Sequence, residues 1–394
     1  MRFKNLFLLL LLIITITTTT TVLSKRSSHQ QHRKYSSSLP TLYEYYLGPN
    51  PDQNSSTRTG LQADNADHFT LNGRPLIIYG GSLHYFRVHH AYWRQTLQRF
   101  KAAGINTVQT YLPWNMHEPL PGRFDFGGAS SPGLDLGRFL AEVRAADMFA
   151  VVRVGPYICA EVDLGGLPPW LLRDPGMRFR ELYPPFMDRV RLYWEQAFQI
   201  LNRYQFTNGK YLIFILETVN KLKNFFPGGP IIMLQIENEY FGPPMNHSLK
   251  YLETLKNMTR ELGFSQLLFT SDPSPAAKRN PVKSIPDLLE TANLNEHAYT
   301  DLMELRAAQP GRPVYVSEFW PGWFDSWNDS RHHRYDLDRF DKEVGEILFR
   351  VNGSINFYMF IGGTNFGKPK NQNSKTKENF QKPKNSLLFT FFPW

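Results

Sequence analysis

At 394 residues the chain is long enough for a sizeable core and holds either two average domains or one large α/β barrel. Aromatic residues make up 14 %, which excludes a linker-like or disordered chain and suits a site that stacks flat apolar faces such as sugar rings. The net charge of +9 does not mark a nucleic-acid binder: the basic excess lies in residues 1–40, 210–228 and 368–394 and leaves the remaining chain mildly acidic.

The amino end, MRFKNLFLLLLLIITITTTTTVLSKR, places Arg2 and Lys4 before an apolar run from Leu6 to Ile16. That run is short for a bilayer span and fits the core of a signal peptide over residues 1–24, with no stable membrane insertion unless the segment stays uncleaved. Five Asn-x-Ser/Thr sequons, at Asn54, Asn246, Asn257, Asn328 and Asn352, agree with the secretory route. The expected destination is extracellular, in a cell wall, or in a vacuole or lysosome. Residues 25–66 are rich in Ser, His, Gln and Asn and read as a flexible stem.

From residue 67 short apolar runs alternate with amphipathic segments. Strands are expected at LIIYGGS (76–82), INTVQTYL (105–112), FAVVRV (149–154), IIMLQIE (231–237), LLFTS (267–271), TANLN (291–295), VYVSEF (314–319) and INFYMFI (355–361). Helical patterns lie between them, as in YWRQTLQRFKAA, LGRFLAEVRAAD, FMDRVRLYWEQAFQILNRY and DLDRFDKEVGEILFRV. Eight strands alternating with helices predict a (β/α)8 TIM barrel over residues 67–367. A doubly wound open sheet is the alternative, but no G-x-G-x-x-G follows the first strand.

Barrel chemistry sits at the carboxyl ends of the strands, and several strands here end in polar residues. On that geometry Tyr111, Glu161, Asn238, Glu239 and Glu318 converge on one mouth. The phrase GGPIIMLQIENEY (228–240) is the sharpest case, an apolar run closed by two carboxylates. On a continuing strand Glu237 and Glu239, two apart, point to the same side, so one must be a salt-bridged support while the other faces the cavity. A second acid on another strand, Glu318, completes the pair that glycoside hydrolysis needs: one carboxyl kept protonated, the other ionised.

The stretches G-G-P-I-I-M-L-Q-I-E-N-E-Y, L-H-Y-F-R (83–87), N-T-V-Q-T-Y-L-P-W-N-M-H-E-P (106–119), G-P-Y-I-C-A-E (155–161), G-G-L-P-P-W-L-L (165–172), S-E-F-W-P-G-W (317–323) and G-G-T-N-F-G (362–367) resemble glycoside hydrolase family 35, the β-galactosidases. The resemblance implies a retaining enzyme that needs no cofactor or metal and acts on β-galactoside oligosaccharides or glycans. It implies Glu239 as acid/base and Glu318 as nucleophile. By the same resemblance Tyr111, Ala160, Glu161 and Asn238 hold galactose hydroxyls, and Trp323 lies against the sugar. Trp320 stands where many relatives carry a smaller aromatic and Val162 where they often carry Trp, changes that bear on the aglycone. His89-His90 and His332-His333 are adjacent pairs without ligand spacing. His117 is expected to hold backbone at a strand exit, and Cys159 to be a buried small side chain that permits no internal disulfide.

Two stretches depart from the pattern. Residues 210–228, KYLIFILETVNKLKNFFPG, interrupt what would otherwise read Y-Q-F-T-N-G-G-P-I-I-M-L-Q-I-E-N-E-Y. After G-G-T-N-F-G the low-complexity basic tail 368–394 replaces the Tyr-Asp-Tyr-Asp-like segment and β-sandwich domains that the resemblance implies. Both begin at a Gly-Lys junction, which GGT-AAG encodes with a splice donor inside it, so both read as translated introns; a surface loop and a disordered tail are the alternative. A barrel incomplete at its carboxyl end is then expected to fold poorly or turn over weakly. Two readings compete with a working galactosidase: an impaired remnant that at most binds galactosides, and another barrel glycosidase cleaving β-glucosides or mannosides.

Overall fold

The computed structural model describes residues 39–48, 59–206, 228–241, 248–273, 285–325, 330 and 333–364. Of the two units, Met1–Pro40 and Thr41–Trp394, the elements below belong to the second. The leader, most of the interruption at 210–228 and the tail at 368–394 lie outside the described residues.

The chain enters through α1 (Leu42–Leu47), followed by three short antiparallel strands, β1 (Leu61–Gln62), β2 (Phe69–Leu71) and β3 (Arg74–Leu76). Part of the expected stem is therefore structured. Thr41 and Glu44 form a reciprocal capping box at the start of α1, and Asp147 accepts from the Leu42 and Tyr43 amides at 3.1 and 3.4 Å. Tyr43 and Tyr46 are buried with Phe69, Leu71 and Leu76 against Phe149, Ile232, Leu289 and Tyr315. Those last four stand at or near the amino ends of the barrel strands, so α1 and the small sheet plug the bottom of the barrel. The polar composition of 25–66 hid these anchors because two tyrosines spaced for one helical turn carry the burial.

Eight parallel strands then close on themselves: β4 (Tyr79–Leu83), β5 (Thr107–Tyr111), β6 (Phe149–Gly155), β7 (Ile231–Ile236), β8 (Leu267–Pro273), β9 (Leu288–Leu294), β10 (Tyr315–Phe319) and β11 (Ser354–Ile361). Ring closure comes from β11 pairing with β4, Ile355 opposite Tyr79. The expected strand at 76–82 straddles two elements, since Leu76 ends β3 and β4 starts at Tyr79. β5, β6 and β7 are buried at every position, which is why β6 and β7 read as largely apolar runs rather than alternating ones.

Helices α2 (Trp93–Ala102), α3 (Leu136–Ala145), α4 (Pro184–Leu201), α5 (Leu249–Glu261), α6 (Ala298–Ala308) and α7 (Leu337–Gly345) occupy the connections. In α4 a proline starts the first turn, and Phe186, Val190, Tyr193, Trp194, Ala197, Phe198 and Leu201 form the buried stripe at three- and four-residue steps. Inside the barrel, above the apolar plug, lies a polar layer. Tyr315 donates to Gln109 Oε1 (3.0 Å), Gln109 donates to the Ser317 carbonyl (3.1 Å), and Asn356 donates to Ser82 Oγ and to the same carbonyl at 2.9 Å each. This layer is the floor of the site.

Candidate active site

The end of β7 does not continue as a strand. β7 stops at Ile236, and Glu237 and Glu239 sit in the left-handed region with φ of 60° and 43°. Period-two alternation ends one residue before the first carboxylate, so the expectation that both point to one side fails. Such backbone costs a non-glycine residue roughly 1–3 kcal/mol and persists where the surroundings hold it.

Glu237 is the supporting carboxylate. It is 1 % exposed and accepts from Arg180 at 2.8 and 3.0 Å, from the Tyr251 hydroxyl at 2.8 Å and from the Asn238 amide at 3.1 Å. Arg180 also donates to the Asn238 carbonyl and covers the Tyr157 ring at 4.2 Å. Asn238 is buried, and its Oδ1 has no hydrogen-bond partner among the described residues.

Glu239, on the other side of that turn, accepts from Asn293 Nδ2 at 3.0 Å. Burial first, and then the charge of Glu318, hold its carboxyl above the ordinary range; Asn293 and Arg153 pull the other way.

Glu318 is buried near the end of β10, within Tyr315–Phe319. Its Oε1 accepts from the Tyr111 hydroxyl at 2.7 Å and from the buried guanidinium of Arg153, and its Oε2 accepts from the Trp320 indole at 3.0 Å. Arg153 in turn lies 3.5 Å over the Tyr111 ring and donates to the Ile158 carbonyl at 2.8 Å. Tyr111 therefore reaches the site through Glu318, its hydroxyl hydrogen already engaged.

The third wall is a turn in which Cys159, Ala160 and Glu161 are all left-handed, at φ 58°, 58° and 51°. Arg87 ties it down by donating to the Ala160 carbonyl, with the Glu161 carboxylate 3.8 Å away. Glu161, 37 % exposed, accepts from the Tyr358 hydroxyl of β11 at 2.9 Å, and burial followed by Glu318 pushes its carboxyl up against the pull of Arg87 and Tyr358. Cys159 is also pushed up, by burial and then by Glu161 and Glu318, so it is a thiol rather than a thiolate at neutral pH. Trp323 is 48 % exposed, edge-on to Trp320 at 5.7 Å, and stands at the rim. His117 is buried and contacts the Asp125 carbonyl through Nδ1 at 2.5 Å; burial, against the opposing pull of that bond, takes it down to about 4. It holds backbone at the strand exit, as expected.

Residues 68–383 match the model of "Glycosyl hydrolases family 35". The chain belongs to glycosyl hydrolases family 35. Among its relatives are Beta-galactosidase-1-like protein 2 of Homo sapiens, 40 % identical over 78 % of this chain and 44 % of the relative, and Beta-galactosidase of Xanthomonas manihotis, 35 % identical over 76 % and 43 %. The chain thus spans less than half the length of these curated relatives. An endo-1,4-beta-mannanase from Rhizomucor miehei shares the barrel fold, with a TM-score of 0.54 at 13 % identity over 76 % of this chain and 90 % of that one.

Four residues of this family 35 site escaped the reading of the sequence: Arg153, Asn293, Tyr358 and Arg87. Arg153 carried a visible signal, a charge inside the apolar run FAVVRV, the same anomaly that exposed Glu237 and Glu239. Asn293 and Tyr358 are ordinary strand residues until the ring closes. Among the described residues no group of three or more His, Cys, Asp and Glu side chains is placed to hold a metal ion, and no helix is long and apolar enough to cross a membrane.

Proposed function

We propose that the chain is a retaining exo-β-galactosidase that removes terminal non-reducing β-D-galactose from glycans by double displacement. The observation that carries this reading is the contrast between its two carboxyls. Glu318 is gripped by a guanidinium, a phenol and an indole N–H, surroundings that suit an anion. Glu239 is biased toward its protonated form by burial and by Glu318 itself.

In the first step a Glu318 oxygen bonds the anomeric carbon as the glycosidic C–O bond breaks, and the Glu239 proton passes to the leaving oxygen. In the second, water gives a proton to Glu239 and its oxygen displaces Glu318, so the anomeric configuration is retained. The unpartnered Asn238 Oδ1 supports a contact with a sugar hydroxyl, since a buried polar atom needs a partner. Ala160 and Glu161 supply further polar groups, Tyr111 positions Glu318, and Trp323 offers its flat face to the sugar. The sequons at Asn257 and Asn352 lie exposed, in keeping with a secretory route.

The test is hydrolysis of 2,4-dinitrophenyl β-D-galactopyranoside by the full chain, with the first-formed anomer read by proton NMR and Glu318 labelled by a 2-deoxy-2-fluoro-galactoside. Release of β-galactose and a label on the peptide bearing Glu318 are expected. An α product, or faster cleavage of the matched glucoside and mannoside, would overturn the reading. Galactose binding with no hydrolysis would establish the second reading, a galactoside binder without turnover.

A further inference from the structure

Asn293 lies on β9, next to its last residue, and is buried. Its amide has one donating and one accepting end, and the two ends meet different neighbours. Nδ2 donates to Glu239 Oε1 at 3.0 Å. Oδ1 accepts from Ser271 Oγ of β8 at 2.6 Å and from Ser317 Oγ of β10 at 3.1 Å. The two serine hydroxyls are 2.8 Å apart, and Ser317 Oγ also meets Thr291 Oγ1 at 2.5 Å. Three adjacent barrel strands thus fix one side-chain amide, and that amide touches the acid/base candidate.

We propose that Asn293 is the positioning residue of Glu239: its N–H occupies Oε1, so the catalytic proton resides on Oε2 and is aimed at the leaving oxygen. This rests on the function proposed above. An N–H donor favours a bare oxygen, so protonation at Oε1 would set two hydrogens against each other. When Oε2 gives up its proton the developing charge meets a donor already in place, with no reorganisation. Ser317 precedes Glu318 in the chain, so the same hydroxyl pair couples the placement of both carboxylates. The other groups facing Glu239 are Glu318 of β10, Arg153 of β6, Asp272 of β8 and the Cys159 thiol, which responds to Glu239.

The test titrates Glu239 directly in the full chain labelled with glutamate carrying carbon-13 at Cδ, its signal assigned by its loss in Glu239→Gln. Asn293→Ala is expected to move the Glu239 midpoint to higher pH, because a donor to the charged form is removed. Ser271→Ala, which keeps the donor but loosens its orientation, moves it the same way by less and decides the matter if Asn293→Ala does not fold. An unchanged midpoint, or one that falls, in a folded variant overturns the proposal. Kinetics give an independent readout: Asn293→Ala loses about tenfold or more in kcat/KM, which reports the first step, on galactosides with sugar or alkyl leaving groups and little on the dinitrophenyl galactoside, whose departure needs no acid. Equal losses on both would also overturn it. If the wild-type chain hydrolyses no galactoside, the proposed function falls while the titration still decides the role of Asn293.

Discussion

A carboxylate's function is set by what donates to each of its oxygens. Glu318 shows this most directly, because Arg153 and Tyr111 hold Oε1 and Trp320 holds Oε2. A hydrogen bond to a charged group contributes about 1.5–3 kcal/mol, which converts to roughly a tenfold to hundredfold effect. Trp320→Phe keeps an aromatic ring and removes the donor, so kcat is expected to fall by about that factor while the melting temperature stays close to wild type. Steady-state kinetics and thermal melting check this, and a change in KM alone would assign Trp320 to the aglycone instead.

At the scale of the element, the turn after β7 separates two glutamates that a continuing strand would have kept together. Its left-handed residues are held by Arg180, which bonds Glu237 and the Asn238 carbonyl. Removing one partner of a buried ion pair costs about 3–5 kcal/mol because the other charge is left uncompensated. Arg180→Leu is therefore expected to destabilise the chain by that order and to reduce activity through the displaced turn, measurable as a lowered denaturant midpoint. A loss of activity at unchanged stability would instead place Arg180 in contact with substrate. The interruption before β7 yields a second expectation. Its two flanks are fastened to each other, Gly229 donating to the Gln205 carbonyl at 3.1 Å and Phe206 to the Ile231 carbonyl at 2.8 Å. Deletion of residues 210–228 shortens a closed loop and lowers its closure entropy. The deleted chain is expected to melt at the same temperature or higher; aggregation or a lower melting temperature would show that the stretch is part of the fold.

For the whole molecule, the site stands against stability. Glu239 has a folded-state proton affinity above its unfolded one, so its stabilising contribution is full below the unfolded value, about 4.3, and is lost as pH rises through the folded value. Glu239→Gln removes that loss. Its melting temperature is expected to exceed wild type near neutral pH and to converge with it below about pH 4. Melting curves of both proteins across that range test the sign, and a difference that does not vary with pH would count against it. On the mechanism proposed above, the same bias that disfavours the ionised fold keeps the proton available for transfer, the trade expected where a site needs a strained charge state.

Strand runs such as IIMLQI and FAVVRV were legible in the sequence because burial on both faces leaves them mostly apolar, a local property. So were Glu237, Glu239 and Glu318, because charge at the end of an apolar run is costly and has to be there for a purpose. What the tertiary structure alone decided is which groups meet. Arg153, Asn293 and Tyr358 reach the carboxylates from β6, β9 and β11, strands far apart in the chain that ring closure makes neighbours around one mouth. The divergence of Glu237 from Glu239 and the plug formed by α1 have the same origin. Each depends on φ values or contacts that no residue's own pattern encodes, whereas the apolar period is written in every strand that must be buried.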